Sequence, residues 1–453
     1  MQNKAEKKHS LIGRIVRFVI PLMLTGILQL IYNAADGIIV GHYDGSKALA
    51  AVTSTGALIN LILNAFLGLT VGASVAVAHD FGARDGRGVE KTVHTSVLVG
   101  IICGIIIGAI GIIYSGTFLK WMDTPDDVLS LATEYLAIYF VGTPGMLVYN
   151  FCASILRSVG DTKRPLYFLS VSGIINVILN IIFVANLHMG VAGVAWATVI
   201  SQYISLVLII VYMTHLNDCC KIDFRKLRIH KDKLIKIIAV GLPAGLQGCV
   251  FSLSNVVIQS SINSFGSLVM AGNGAAQSLD GFIYTAMNSV SQASLTFIGQ
   301  AVGAKEYDKI NKVVLICASA VSVVGIVMGV VVVVFAAPLV GIYLPHDPEA
   351  VPYAVKRLVY CALPYFTCGI MEVMCGAQRG MGMSVIPMIT SLVGSCVFRI
   401  VWIYTVFASV GTLEILYISY PISWTITSAV HTVFYSIKLH SLKKKAKLLQ
   451  ITE

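Results

Sequence analysis

Four oxygen-bearing side chains in the first half of the chain lie within long apolar stretches. Asn176 and Asn180 are four residues apart, so a helix places both on one face. Asp36 is the ionisable member of the group, and Thr198 supplies a hydroxyl. Carboxylate, amide and hydroxyl oxygens suit a bare cation, and a buried carboxylic acid can also load and release a proton. The pattern predicts an ion-coupling site for H+ or Na+ made of Asp36, Asn176, Asn180 and Thr198.

These polar residues also have a structural interpretation. Asp36 is followed closely by Gly41 and His42, so it could be a solvated residue near the end of a helix. The amide and hydroxyl side chains could make ordinary interhelical hydrogen bonds, which are common in membrane bundles. The sequence leaves both alternatives open.

A second group of residues is suited to binding a substrate. Asp280 and Glu372 lie within apolar stretches, where acids would attract lipophilic cations or form a second ion-coupling site. Tyrosine rings bind cations through their faces. A structural alternative is that Arg399, itself within an apolar stretch, pairs with one of the acids. The candidate substrate residues are Asp280, Glu372, Asn150, Tyr139, Tyr149 and Tyr284, and the predicted structural charges are Arg157, Arg379 and Arg399.

The composition places these residues in a membrane protein. Hydrophobic residues make up 57% of the 453 positions and charged residues only 12%, about half the share of a soluble domain. Too little polar surface remains to coat a soluble globule, and the same numbers exclude a disordered chain, a disulfide scaffold and a nucleic-acid binder. The ten cysteines are predicted to be reduced.

Twelve apolar runs are each long enough to cross a bilayer, which takes about 20 residues. All are predicted to be helices, because an open strand edge has no partner in lipid. The predicted fold is therefore an all-α integral membrane protein with twelve transmembrane helices. The runs are Arg14–Gly41, Ala50–Val77, Val93–Leu119, Leu131–Leu156, Leu166–Leu187, Val191–His215, Leu234–Asn263, Leu268–Ala301, Val313–Leu344, Val355–Ala377, Ile386–Phe407 and Ile415–Leu439.

Lys and Arg predict the orientation, because short cytoplasmic loops carry an excess of them. With a cytoplasmic N-terminus, 27 of the 32 basic residues face the cytoplasm and Arg399 lies within a helix. The four that face outward include Lys356 and Arg357. Both termini are then predicted to be cytoplasmic, and the basic C-terminal tail is expected to lie against anionic lipid.

The two halves of the chain are related by an internal repeat with an offset of 222 residues. Pro21 matches Pro243, and RSVGDTKRP at 157–165 matches RGMGMSVIP at 379–387. Six spans in each half give both halves the same orientation, which is typical of transporters with a central cleft between two bundles. The predicted domains are an N-terminal six-helix lobe at 1–215, a cytoplasmic linker at 216–234 and a C-terminal six-helix lobe at 235–453.

Several motifs occur in an order and spacing that resemble a known family. Tyr32–Val52 reads YNAADGIIVGHYDGSKALAAV, Phe81–Asp85 reads FGARD, and Met371–Pro387 reads MEVMCGAQRGMGMSVIP. Together they resemble the multidrug and toxic compound extrusion (MATE) family over essentially the whole chain.

The resemblance implies a fold and an activity. It implies two six-helix lobes with a V-shaped cleft, and efflux of drug-like, often cationic, molecules driven by inward H+ or Na+. It also implies that Asp36 and the polar residues of the fifth and sixth helices form the cation site. Some relatives carry a second carboxylate where this chain has Asn180, so the choice of ion stays open.

These features predict a secondary active efflux transporter, an antiporter that exports drug-like, cationic molecules in exchange for H+ or Na+ by alternating access. The alternative is a flippase for a lipid-linked or other amphiphilic substrate, which would be expected to carry extra spans and basic cleft residues. The sequence carries no phosphate-binding loop or metal motif, so we expect no enzyme and no cofactor beyond the coupling ion. The expected partners are small organic substrates and membrane lipid but no nucleic acid, and the chain is expected to be a multi-pass monomer of the cell membrane.

Overall fold

The computed structural model describes residues 10–122, 124–344 and 347–452, and all regular structure within these ranges is helical. Three stretches are π-helical, at Ile181–Asn186, Leu392–Val397 and Ile403–Phe407. Short 3-10 helices occur at Phe224–Lys226 and Pro348–Ala350. The α-helices are α1 (Leu11–Tyr43), α2 (Gly45–Gly82), α3 (Gly86–Trp121), α4 (Asp126–Val141), α5 (Thr143–Ser158), α6 (Lys163–Asn180), α7 (Gly190–Thr214), α8 (Lys231–Asn263), α9 (Ser267–Gly303), α10 (Tyr307–Val334), α11 (Ala336–Tyr343), α12 (Val351–Cys361), α13 (Tyr365–Gly380), α14 (Val385–Ser391), α15 (Phe398–Trp402), α16 (Ala408–Val410) and α17 (Leu413–Thr452).

Each predicted span falls on one long helix or on consecutive shorter ones. By length and apolar composition, eight helices of the described chain could cross a membrane, or ten if α4 with α5 and α12 with α13 each count as one bent span. Helices α9 and α17, which are 37 and 40 residues long, account for the other two predicted spans. They carry more polar residues, including Asn273 and Asp280 on α9, which explains why composition alone selects fewer than twelve helices.

The outer surface of the helices is apolar, and many polar side chains are buried. On α3, Ile105 is 57% and Ile113 is 70% exposed, whereas Thr92 and Ser96 are fully buried. Apolar side chains face outward at no cost in lipid, while polar groups inside find partners on neighbouring helices. This distribution fits a bilayer rather than water.

The described chain divides into two compact units. One unit comprises Leu24–Gly245, and the other comprises the residues up to Met23 together with those from Leu246 onward. Both α1 and α8 therefore contribute one part to each unit, whereas the sequence-based domains follow the chain order.

The internal repeat is visible in the local irregularities of the helices. The break between α4 and α5 falls at Gly142, and the break before α13 falls at Pro364, 222 residues later. Both bends measure 48°. The π-helical stretch that begins at Ile181 likewise recurs at Ile403. The offset found in the sequence is thus also the offset of the structural features.

The segment between the two halves packs against α2 and α3. The backbone nitrogen of Asp223 donates to His94 Nε2 at 3.1 Å. Lys233, in the first turn of α8, is 4% exposed and donates to Asp80 Oδ2 at 2.5 Å. This buried ion pair anchors the first turn of α8, which begins at Lys231, within the predicted linker.

Helices α2 and α8 approach each other closely through glycines. Gly68 and Gly72 on α2, and Gly241 and Gly245 on α8, form two G-x-x-x-G motifs. A Cβ atom at Gly72 would overlap the carbonyl oxygen of Ile237, and one at Gly68 would overlap the backbone nitrogen of Gly245. Small residues at this spacing allow backbones to touch in membrane bundles.

Gly72→Ala is expected to lower the free energy of unfolding by about 1–3 kcal/mol, because an added methyl group overpacks the contact. The obstructing Ile237 oxygen belongs to the backbone and cannot rotate away. The melting temperature of the detergent-purified protein measures the effect. Gly56→Ala on the same helix is the matched control, since nothing lies within 4 Å of its added Cβ. Equal melting temperatures for the two variants would contradict the close packing.

Candidate functional site

The four residues of the predicted ion-coupling site come from three helices of one unit. Asp36 lies on α1, Asn176 and Asn180 on α6, and Thr198 on α7. Asn180 Nδ2 donates to Asp36 Oδ1 at 2.5 Å and to Asn176 Oδ1 at 3.2 Å. Asn176 Nδ2 lies 3.5 Å from Thr198 Oγ1. The structure therefore brings the four side chains into one hydrogen-bonded chain.

Close packing of α1 on α6 places Asp36 beside Asn180. Tyr32 precedes Asp36 by one helical turn, and its hydroxyl donates to the Ser170 carbonyl at 3.4 Å. The ring of Tyr32 lies against Gly173, where a Cβ atom would overlap it. Only glycine at position 173 leaves room for this aromatic ring, so Tyr32 and Gly173 set the distance between the two helices.

The site contains a buried oxygen without a hydrogen-bond partner. Asn180 is fully buried and Asn176 is 5% exposed, whereas Asp36 and Thr198 are half-buried. Within the part of the chain that the structure describes, Asn180 Oδ1 has no hydrogen-bond partner. A buried acceptor left unpaired costs about 1–3 kcal/mol, and here it lies on the residue that binds the only carboxylate of the group. An amide oxygen beside a carboxylate is a suitable pair of ligands for a hard cation.

The donor set does not suit a transition metal. Within the described ranges, no group of three or more His, Cys, Asp or Glu side chains could hold a metal ion. The Asp36 site offers one carboxylate with amide and hydroxyl oxygens, which are donors that suit a hard cation.

Asp280 of the second unit is neutralised by a residue that the sequence interpretation placed outside the membrane. Arg357 donates to Asp280 Oδ2 from Nη2 at 3.1 Å and from Nε at 3.3 Å. Its Nη1 donates to Asn273 Oδ1 at 2.6 Å. Asp280 and Arg357 are each 6% exposed.

The suggested pairing of Asp280 with Arg399 is therefore wrong, because Asp280 forms its ion pair with Arg357. Arg357 is one of the charges predicted to face outward, although the predicted span begins at Val355. Because Arg357 lies two residues inside that span, the sequence does contain a sign that this charge is within the membrane.

Glu372 and Tyr284 differ from Asp280 in being accessible. Glu372 is half-buried on α13, and none of the ion pairs in the described chain includes it. Tyr284, on α9, is 39% exposed. Both can therefore contact a bound molecule.

The other three candidate substrate residues make contacts within their own unit. The Tyr149 hydroxyl donates to the Pro165 carbonyl at 2.9 Å, and this side chain is 5% exposed. Asn150 Nδ2 donates to a carbonyl of its own helix at 2.8 Å. Tyr139 stacks on Tyr135 with ring centroids 6.2 Å apart. Only the contact of Tyr149 joins two helices, α5 and α6; those of Asn150 and Tyr139 lie within their own helices.

The two predicted helix-end arginines are half-buried. Arg379 Nη2 donates to Gln247 Oε1 at 2.8 Å, which joins α13 to α8. Arg157, at the end of α5, has a buried Nε without a hydrogen-bond partner.

Comparison with known proteins relates the chain to one group of transporters. The sequence profile of the MatE family matches residues 21–182 and 243–405, so each half carries one copy. The chain is 26% identical over 382 residues to the probable multidrug resistance protein YoeA of Bacillus subtilis, covering 83% of this chain and 82% of that protein. It is 22% identical over 409 residues to an FAD transporter of Shewanella oneidensis, covering 88% of both.

A solved structure shows the same fold. It is described as the outward-facing conformation of a multidrug resistance MATE family transporter of the MOP superfamily. It matches with a TM-score of 0.91 at 22% identity, covering 98% of this chain and 99% of that chain. The prediction of an all-α membrane protein with twelve spans in two repeats is confirmed by this similarity together with the duplicated family match.

Proposed function

Because the chain belongs to the MATE family of multidrug efflux transporters, we propose that it is a secondary active antiporter that exports drug-like organic molecules in exchange for H+ or Na+. We further propose that it works as a multi-pass monomer of the cell membrane with both termini in the cytoplasm. The coupling ion binds at Asp36, Asn176, Asn180 and Thr198.

The contact between Asp36 and Asn180 carries this proposal. Asp36 is the only carboxylate in the hydrogen-bonded chain, and Asn180 offers an unpaired buried oxygen next to it. A proton would bind to the Asp36 carboxylate, and Na+ would bind between that carboxylate and Asn180 Oδ1. Either ion neutralises a charge that is expensive to keep within the membrane.

Ion binding drives export because it changes the relative stability of the transporter's conformations. A ligand shifts such an equilibrium only by its difference in affinity for the two states. One charge moving through 100 mV supplies about 2.3 kcal/mol, which corresponds to a concentration ratio of about fifty for an exported molecule without net charge. For an exported monovalent cation the two charges cancel, and the concentration gradient of the coupling ion supplies the driving force. A single coupled ion is therefore sufficient for efflux against a substantial gradient.

Gradient-driven efflux from proteoliposomes tests the proposal. Vesicles loaded with a fluorescent lipophilic cation are given an imposed H+ gradient or an imposed Na+ gradient, and protein-free vesicles are the control. Faster efflux under either gradient is expected, and it identifies the coupling ion. If neither gradient changes the rate over several dyes, the antiporter proposal fails and flipping of an amphiphile becomes the function to test.

The binding of cationic substrates would depend mainly on Glu372, because Asp280 is already paired with Arg357. Glu372→Gln is expected to weaken the binding of a lipophilic cation by about tenfold, since it removes an accessible charge that is not paired. Fluorescence polarisation in detergent measures the affinity. Asp308→Asn, which removes a carboxylate that is 95% exposed, is the matched control. Equal affinity in the Glu372 variant and the control would count against a role in cation recognition.

A further inference from the structure

Arg399 is a buried cation whose hydrogen-bonding capacity is only partly used. It lies on α15 and is 4% exposed. Its Nε donates to Ser423 Oγ at 2.9 Å, while its Nη2 is buried without a hydrogen-bond partner among the described residues. Arginine stays protonated in proteins, so this position carries a permanent positive charge within the membrane span.

The acids of the same unit do not neutralise Arg399. Asp280 is held by Arg357, and none of the ion pairs in the described chain includes Arg399. Asp280, Arg357 and Arg399 therefore carry a net charge of +1 together. Ionisable residues within a span are normally paired, and an unpaired one marks a substrate or ion pathway.

Aromatic side chains surround the guanidinium group. The Arg399 Cζ lies 4.2 Å from the ring centroid of Tyr420 and 5.5 Å from that of Trp424. Tyr365 packs on Trp424 with ring centroids 5.0 Å apart. Rings of this kind hold the flat guanidinium group in place. Trp424 is 5% exposed, whereas Tyr365 and Tyr420 are half-buried, so the two tyrosines offer apolar area to an organic molecule.

The repeat relates Arg399 to the ion-coupling site. The offset of 222 takes Thr198 to Tyr420 and Asn176 to Phe398, the residue before Arg399. It takes Asp36 to Ile258, so the second half has no acid at the corresponding position. Arg399 is also flanked by the π-helical stretches Leu392–Val397 and Ile403–Phe407, and such stretches occur frequently at functional sites. The first half thus carries a polar site with an acid, Asp36, and the second half carries a polar site with a base, Arg399, next to positions that the repeat relates to the first site.

We propose that Arg399, with Ser423, Tyr420 and Trp424, forms a binding site for the anionic group of an organic molecule, a carboxylate, sulfonate or phosphate attached to an aromatic or apolar body. Nη2 supplies the free donor, and the rings contact the apolar body. This inference deepens the proposed export function, on which it rests, by assigning a substrate class. It adds to the sequence-based expectation of cations at Glu372 a group for binding an anion, Arg399, on a different helix.

Equilibrium binding of fluorescein to the purified protein tests the site without any ion gradient. Arg399→Gln removes the charge, whereas Arg399→Lys keeps it. We expect the Gln variant to bind fluorescein about tenfold to a hundredfold more weakly, which corresponds to the loss of a charge-assisted hydrogen bond. The Lys variant should retain most of the affinity, and binding of the cation rhodamine 6G should not weaken in either variant. Lys309→Gln, which removes a charge whose side chain is 57% exposed, is the control.

Competition with bound fluorescein distinguishes a soluble organic anion from an anionic lipid as the natural ligand. Displacement of fluorescein by benzoate supports a soluble organic anion, and stronger displacement by dihexanoyl phosphatidylglycerol below its micelle concentration supports an anionic amphiphile. Displacement by chloride at equal concentration would assign the site to an inorganic ion and overturn the organic-anion proposal.

The binding assay also separates this inference from the proposed function. Unchanged fluorescein affinity in a folded Arg399→Gln variant, or no saturable binding to the unmodified protein, overturns the anion site even if gradient-driven efflux is observed. Arg399-dependent binding without gradient-driven efflux supports the anion site and rejects the antiporter. If the Gln variant does not fold, Arg399→Met, which removes the charge but keeps a long side chain, takes its place. Fluorescein affinity equal to that of the unmodified protein in this variant overturns the anion site.

Discussion

Asp36→Asn is expected to abolish gradient-driven efflux while leaving the protein folded. The asparagine side chain has the same shape and keeps an oxygen that accepts the hydrogen bond from Asn180 Nδ2, but it carries no charge and takes up no proton at neutral pH. Without a coupled charge, the driving force of about 2.3 kcal/mol per 100 mV is lost. The expected efflux rate is that of protein-free vesicles under either gradient, with a melting temperature close to that of the unmodified protein.

Two variants make the Asp36 experiment specific. Asp36→Glu keeps the acid and should retain measurable coupling. Asp308→Asn removes a carboxylate that is 95% exposed and should transport normally. Gradient-driven efflux at the normal rate in Asp36→Asn would refute the assignment of the ion-coupling site.

Asp280→Asn is expected to have the largest effect on stability. It leaves Arg357 as an uncompensated buried charge close to Arg399, since both guanidinium groups lie within 5.8 Å of the Tyr420 ring centroid. Removing one partner of a buried ion pair costs about 3–5 kcal/mol. The melting temperature in detergent measures the loss.

A double variant separates the cost of the unpaired charge from the loss of the ion pair itself. Asp280→Asn combined with Arg357→Gln removes both charges, so it should be more stable than Asp280→Asn alone. Glu414→Gln, which breaks the half-exposed pair with Lys356, is the matched control; exposed pairs contribute about 0–1 kcal/mol. A double variant less stable than the single one would show that the ion pair itself, and not an unpaired charge, dominates the effect.

Part of the ion-coupling site follows from the sequence alone. Asn176 and Asn180 share a face because helical geometry is a property of neighbouring residues, and Asp36 was selected because charge within an apolar run is rare. The sequence also leaves the simpler interpretation of each residue open. The contact between Asp36 and Asn180 joins residues 144 positions apart, and it depends on Tyr32 packing against Gly173.

In the second unit, the pairing of the buried charges does not follow from the sequence alone. Asp280 and Arg399 both lie within spans, and the sequence provides no means of choosing between Arg399 and Arg357 as the partner of Asp280. Arg357 is selected because α12 packs beside α9, which brings together side chains 77 residues apart. The same packing leaves Arg399 without a carboxylate, which no count of charges along the chain would show.

The sequence by itself determined the membrane environment, the helical class, the positions of the spans and the duplication, because these depend on composition, periodicity and self-similarity along the chain. Only the tertiary structure decided which polar groups meet. Examples are the pairing of Asp280 with Arg357 and the touching glycines of α2 and α8. Such contacts depend on the distance between helix surfaces, which side-chain volumes at remote positions set together.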